Sequence, residues 1–433
     1  MDAPYDVVVV GAGFAGITAA RDLVDRGRSV VILEAGSRVG GRTYARPFAG
    51  REDLTVELGG SWINRDLQPG IRREIARYGI ALTKDPEPAG AVFLTDGMLR
   101  SFPVPAGEIA DLERVVGHLR EASKRIAPSQ RLSRQPIRDL DVSVDEFIAP
   151  LNLGPATRDL LYAAIAWYTG ADPRETSMLG FIAQTAGFGH SPYGFFGALT
   201  ERFVGGAGTL LDRIVEESRL EIRLGHHVAQ ITQSEGGVTV RTRDGQSVQA
   251  RSCVVAAPTN VLRHIDFNPA ISADKQKFLA ENHQGRIYKP SVLVRNVPPR
   301  FFALGMGTLQ SLCFGYEFAD GSSMLIGFGG EGAARLDPTD LEQVTAAVHE
   351  YYPDAEVLAV DAHDWNTDPL FDGTNRIDSP GQAYDFLRAM NEPEDRVVFA
   401  GTDLDDSVWR IWIEGAVNSG HRAADGVSVV LGR

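Results

Sequence analysis

VVVVGAGFAGITAARDLVDRGRSVVILEAGSRVGGR, residues 7–42, decides the fold. The apolar run Val7 to Val10 predicts a buried strand, and GAGFAG (Gly11 to Gly16) predicts a tight turn opening a helix. A second apolar run, Val30 to Leu33, predicts the next strand and ends on Glu34. Strand, glycine turn, helix, strand and acid follow in the order a dinucleotide-binding unit requires. Gly11 permits the turn, Gly13 lets backbone N–H groups approach a pyrophosphate, and Gly16 lets the helix pack close to the strand. The helix then faces the phosphates with the positive end of its dipole. Glu34, eighteen residues past Gly16, is placed to accept both ribose hydroxyls and to repel a 2′-phosphate.

The segment RVGGR (Arg38 to Arg42) separates a flavin from a nicotinamide, whose site needs no second Gly-Gly flanked by arginines. LEAGSRVGGRT resembles the extended fingerprint of the flavin-containing amine oxidase family, and three further motifs extend that resemblance. These are ELGGSWI (Glu57 to Ile63), VVFAGTDL (Val397 to Leu404) and IWIEGAVNSGHRAA (Ile411 to Ala424). FVGGAGTLLDRI (Phe203 to Ile214) and VVAAP (Val254 to Pro258) carry it through the middle of the chain. The resemblance implies FAD, held by Gly11, Gly13, Ala15, Gly16, Glu34, Ala35, Arg38, Gly40, Gly41 and Arg42 in the first unit. It adds Gly59, Gly60, Ser61 and Trp62 from the second motif, Val228 from the middle, and Gly401, Asp403, Ile413 and Val417 near the end. Asp403 stands where the family usually has glutamate.

Composition agrees with an enzyme of this kind. The 433 residues suffice for two domains with real cores, and 43% hydrophobic with 23% charged residues are globular proportions. A net charge of −14 disfavours nucleic acid and anionic membrane as partners. Cys253 and Cys313 form no disulfide framework, which fits a reducing, cytoplasmic setting. No signal peptide or membrane-spanning run is expected. The nine histidines show no ligand spacing, so no metal site is expected.

The expected fold is α/β, with two domains. A Rossmann-like FAD domain is assembled from residues 1–80, 203–287 and 396–433. A substrate domain of mixed sheet backed by helices takes 81–202 and 288–395. Short alternating strands with Gly-Gly and Asp-Gly turns are predicted across 220–257, and helices across 107–126 and 155–170. Ser143 reads as an N-cap, and 129–138 as a surface loop.

Lys289, where a loop enters an apolar strand, is the first catalytic candidate. The resemblance implies that it holds a water against flavin N5; without it, a lysine at a strand start is a surface residue. Trp412 is second, as one aromatic wall facing the flavin; core packing beside Trp409 is the competing assignment. Asn375 stands where many members have the opposing tyrosine, and Thr374 where some have the cysteine bonded to the flavin, so non-covalent FAD is expected. HDW..DPLF.G, from His363, is similar to the bacterial L-6-hydroxynicotine oxidase branch of the family. That branch has a substrate-contacting asparagine where Trp167 stands here. Tyr168, Phe195, Phe196, Leu199, Phe314 and Tyr316 are further pocket candidates.

These features imply an amine oxidase that passes hydride from the carbon α to a small secondary, cyclic or aromatic-bearing amine to flavin N5, with O₂ reduced to H₂O₂. A dehydrogenase using a cytochrome or quinone, a C–C desaturase and a cofactor-free scaffold are the alternatives. The oligomer stays open, although relatives are often homodimers.

Overall fold

A computed structural model describes residues 5–281, 285–330 and 335–432, apart from the side chain of Phe196, a pocket candidate that lies outside this description. An eight-stranded sheet organises the first part of the fold. Tyr5–Val10 pairs in parallel with Val30–Leu33 on one side and with Ser247–Val255 on the other. Its valines are buried on both faces, which is why the run shows no alternation. Val7 and Val9 join a core with helices Phe14–Asp25 and Ile413–Leu431, while Val8 and Val10 join the core on the opposite face.

Ser247–Val255 is the branching strand. Residues 247–250 pair antiparallel with Gly237–Thr242, and 253–255 pair in parallel with Val397–Phe399. Its burial follows: alternate residues are exposed at first, and everything from Ser252 onward is buried. The carboxyl ends of the parallel strands therefore gather at Gly11, Ala256 and Gly401, where open parallel sheets bind ligands.

A second eight-stranded sheet runs from Glu356–Asp361 to the edge strand Met98–Arg100. Its pairs are antiparallel except Phe301–Gly305 with Gly90–Thr95. Helix Pro155–Thr169 packs on it and ends at Gly170, whose positive φ of 64° closes the helix in the left-handed conformation. Helices form at Ile109–Ser123 and Val144–Ile148, and Ser143 caps the latter by accepting from the Glu146 N–H. The 129–138 stretch departs from its expected role as a free loop. Leu132 and Ile137 are buried, and Ser133 is bonded to Asp406, so two apolar anchors and one carboxylate fix it to the body.

Three helices of the first layer are tied by charge. Arg21 is fully buried and donates to both oxygens of Glu74 at 2.9 Å. His421 lies 2.6 Å from Asp22 and 3.5 Å from Glu74. Burial alone would lower the imidazole pKa; the bonds to Asp22 and Glu74 outweigh it and push it up to about 9. A raised folded-state value stabilises the fold fully below the unfolded value near 6.5, and that stability is lost as pH rises through about 9. Thermal melts should therefore show a fall in Tm between about pH 7 and 9.5 that a His421→Asn variant lacks. Parallel pH profiles for the two proteins would refute the linkage.

Candidate active site

A single cavity of about 330 Å³ runs from the glycine turn to an aromatic chamber. At one end the turn is built by close approach. Gly11 has φ +103°, and a Cβ on Gly16 would lie 2.0 Å from the Gly11 carbonyl oxygen. Helix Phe14–Asp25 starts there with no side-chain cap, so its first N–H groups are available to an anion. Glu34 lines the wall and accepts from the N–H groups of Ala12 and Gly36, both at 2.7 Å. A carboxylate has about four lone-pair sites, so acceptor capacity remains.

The two arginines of RVGGR part company. Arg38 turns onto its own loop, donating to the carbonyls of Val39, Gly41 and Thr43, and does not line the cavity. Arg42 does line it and makes a bidentate pair with Asp403 at 3.0 and 2.9 Å. It also donates to the Thr374 carbonyl and to Asn375 Oδ1. Burial would raise the Asp403 carboxyl pKa, but the Arg42 guanidinium more than cancels that and holds it below the ordinary range. Asp403 thus sits behind Arg42, outside the cavity wall, and Gly16 and Val417 are likewise packed away from it. Thr374 is fastened by its hydroxyl to the Gly285 carbonyl at 2.8 Å.

Lys289 enters from the second sheet and meets the ELGGSW loop. Its Nζ donates to the carbonyls of Glu57 at 2.9 Å and Gly59 at 2.6 Å, and to Ser61 Oγ. An ammonium has three protons, so all are used in fixing this loop, and a water would have to compete for one. Trp62 lies 5.0 Å away, beneath the cation. Burial drives the Lys289 pKa well below the usual lysine range, and burial raises Glu57. Behind them Asp85 accepts from Trp62 Nε1 at 2.6 Å and from Arg202 Nε at 2.7 Å.

The chamber is walled by Trp167, Tyr168, Phe195, Phe328 and Trp412, with Leu199 at its side. Phe195 meets Trp167, Tyr168 and Trp412 edge-on, with ring centres 5.1, 5.6 and 6.1 Å apart. The Trp412 indole N–H is buried with no hydrogen-bond partner among the described residues. Ile411, just before it, has φ +67°, an outlier for a β-branched residue. Trp409 and Trp412 precede the last helix rather than sharing a helical turn, because that helix starts at Ile413. Two sequence candidates fall outside the chamber. On strand Ser311–Glu317, Phe314 packs into the core with Tyr351 and Tyr352, and the Tyr316 hydroxyl bonds to Arg202.

Ala15, Ala35, Gly40, Gly41, Gly60, Val228, Gly401 and Ile413 line the cavity, as do Gly59 and Ser61. Sequence reasoning missed Phe328, Trp365, Ile411 and the basic group His227, Arg243 and His264. Trp365 was within reach: it lies in the quoted HDW motif, and its indole donates to the Leu58 carbonyl at 2.8 Å, bracing the same loop as Lys289. Among the described residues no cluster of His, Cys, Asp or Glu is arranged to hold a metal, and no helix is long and apolar enough to cross a membrane.

A dinucleotide cradle opening into an aromatic chamber defines an oxidoreductase that works through a nucleotide cofactor. Residues 14–428 match the flavin containing amine oxidoreductase family. The chain is 33% identical to (S)-6-hydroxynicotine oxidase of Paenarthrobacter nicotinovorans, over 98% of this chain and 99% of that protein. It is 31% identical to nicotine dehydrogenase of Pseudomonas putida, over 99% of this chain and 89% of the relative. Putrescine oxidase, solved as a triple mutant, shares the fold with TM-score 0.88 at 21% identity, covering 98% and 99% of the two chains. The chain belongs to the flavin-containing amine oxidoreductases, as an FAD enzyme acting on C–N bonds.

Proposed function

We propose that this protein oxidises a small secondary, cyclic or aromatic-bearing amine by removing hydride from the carbon α to nitrogen, leaving an imine or iminium, with O₂ as final acceptor. The observation that carries this reading is the continuity of one cavity from the Gly11–Glu34 cradle to the aromatic chamber. Bound FAD would supply the two-electron acceptor. The Gly11–Gly13 turn and the first N–H groups of helix Phe14–Asp25 would hold its diphosphate, and Glu34 its ribose. Thr374 offers no thiol, which supports non-covalent attachment. The chain's first sheet draws its strands from residues 5–10, 30–33, 221–268 and 397–399, which supports assigning that discontinuous unit to the cofactor and the second sheet to the substrate.

Aromatic walls would favour the neutral amine, the form able to release hydride, by desolvating the charged one. Trp412 and Asn375 both line this cavity, and Asn375 offers no aromatic face. Lys289 holds the Glu57–Ser61 loop that floors the junction between cradle and chamber. The cyclic-amine substrate class draws support from the relative named (S)-6-hydroxynicotine oxidase. A cytoplasmic setting rests on two buried, unpaired cysteines.

Anaerobic visible spectra with a panel of primary, cyclic and N-methylated amines test the proposal. Bleaching by cyclic or secondary amines is expected, and flavin bands that no amine bleaches would sink it. Trp412→Ala should raise the apparent KM roughly tenfold, as expected for loss of a buried aromatic contact. An unchanged KM would place Trp412 in the core alone. A second acceptor class is favoured by the relative named nicotine dehydrogenase. Reoxidation of the reduced enzyme in air, compared with added cytochrome c, separates the two.

A further inference from the structure

Basic side chains around the cavity differ in what they already hold. Arg42 is bound to Asp403, Arg38 to its own loop, and Lys289 to the Glu57–Ser61 segment. His226 Nδ1 is bonded to the Leu224 carbonyl at 2.8 Å. Three flat basic side chains that line the cavity, half-buried His227 and exposed Arg243 and His264, make no hydrogen bond or ion pair with another described residue.

Backbone geometry fixes where they stand. The His226 N–H donates to the Glu34 carbonyl at 2.8 Å, and the Arg243 N–H donates to the His227 carbonyl at 2.8 Å. His264 ends the turn Thr259–His264. His227 is close enough to both that, after burial, Arg243 and His264 are what hold its pKa down. The group adjoins the Glu34 end of the cradle, because the neighbouring His226 N–H is bonded to the Glu34 carbonyl and all three residues line the same cavity as the glycine turn. Backbone N–H groups suit the diphosphate and Glu34 suits the ribose, so the unit beyond Glu34 is the purine.

We propose that Arg243, flanked by His227 and His264, caps the adenine of bound FAD, the guanidinium plane lying on the purine face. A guanidinium is planar and weakly hydrated and can lie flat on an aromatic face, whereas an ammonium offers only a compact point charge. The cap gives the adenosine half an anchor that neither committed arginine of RVGGR supplies. It rests on the assignment of FAD to this cavity.

Flavin fluorescence on dilution of the holoenzyme follows FAD release. Arg243→Ala should release FAD about tenfold faster, and Arg243→Lys should resemble the alanine variant because it keeps charge but no planar face. FMN, which lacks the adenosine half, should bind the apoprotein of wild type and Arg243→Ala equally. Wild-type release from Arg243→Ala, full rescue by lysine, or an equal loss for FMN would each overturn the cap. A colourless wild-type protein would instead remove the flavin assignment beneath it.

Discussion

Arg42→Met should destabilise the protein by about 3–5 kcal/mol, the cost of leaving one partner of a buried ion pair uncompensated. Asp403 is 1% exposed and depends on Arg42 for two charge-assisted hydrogen bonds. The Arg376 N–H and the Thr259 hydroxyl also donate to Asp403, but neither carries its charge there through a side-chain pair. The same arginine reaches from the first flavin motif to Thr374 and Asn375, so its loss should also loosen the wall between cradle and chamber. Denaturant unfolding of holoenzyme measures the effect. Arg42→Met/Asp403→Asn should recover part of it, because the double variant buries no unpaired charge. A single variant within 1 kcal/mol of wild type would show that water reaches Asp403 freely.

Lys289→Met should slow amine-dependent flavin bleaching by at least about 100-fold while the protein stays yellow. Methionine matches the stem but donates nothing, so the carbonyls of Glu57 and Gly59 and the Ser61 hydroxyl lose their shared donor. The Glu57 carboxyl, held by the Ala207 N–H at 2.9 Å, also loses its nearby cation and is driven further toward its neutral form. Because burial depresses Lys289, the wild-type rate should show an inflection below the ordinary lysine range as the ammonium loses its proton. The variant should lack that inflection. Stopped-flow spectra across pH read both effects, and a variant bleaching at the wild-type rate would remove Lys289 from the chemistry.

The cradle was legible because its requirements are local. Gly11, Gly16 and Glu34 lie within one strand–helix–strand unit, where spacing alone fixes geometry. Within RVGGR the sequence treats Arg38 and Arg42 alike. Their different orientations depend on Asp403, 361 residues past Arg42, which only the folded chain brings near. The chamber was half legible for a related reason. Trp167 and Tyr168 end a helix whose pattern is plain, but Phe314 and Tyr316 lie on a strand of the second sheet, and sequence does not say which face meets the cavity. The neighbouring strand contributes Phe328 instead. Arg243 and His264 gave no motif at all, being surface-type residues on separate hairpin and turn segments.

The branching strand has a consequence for synthesis. Val7 to Val10 wait for residues 252–255, and these in turn wait for 397–399. The first helix packs on Ile413–Leu431, whose first turn also supplies Ile413 and Ala416 to the cavity. A nascent chain emerging from the ribosome therefore cannot close this site until nearly all of it has been made. Cofactor capture is a late event: the first apolar strand can pair with Val30–Leu33 early, but its other edge stays open until residues 252–255 have been made. Such long-range pairing folds slowly. Free flavin in the cell, present as translation ends, then becomes part of what determines how much of the protein reaches its working form.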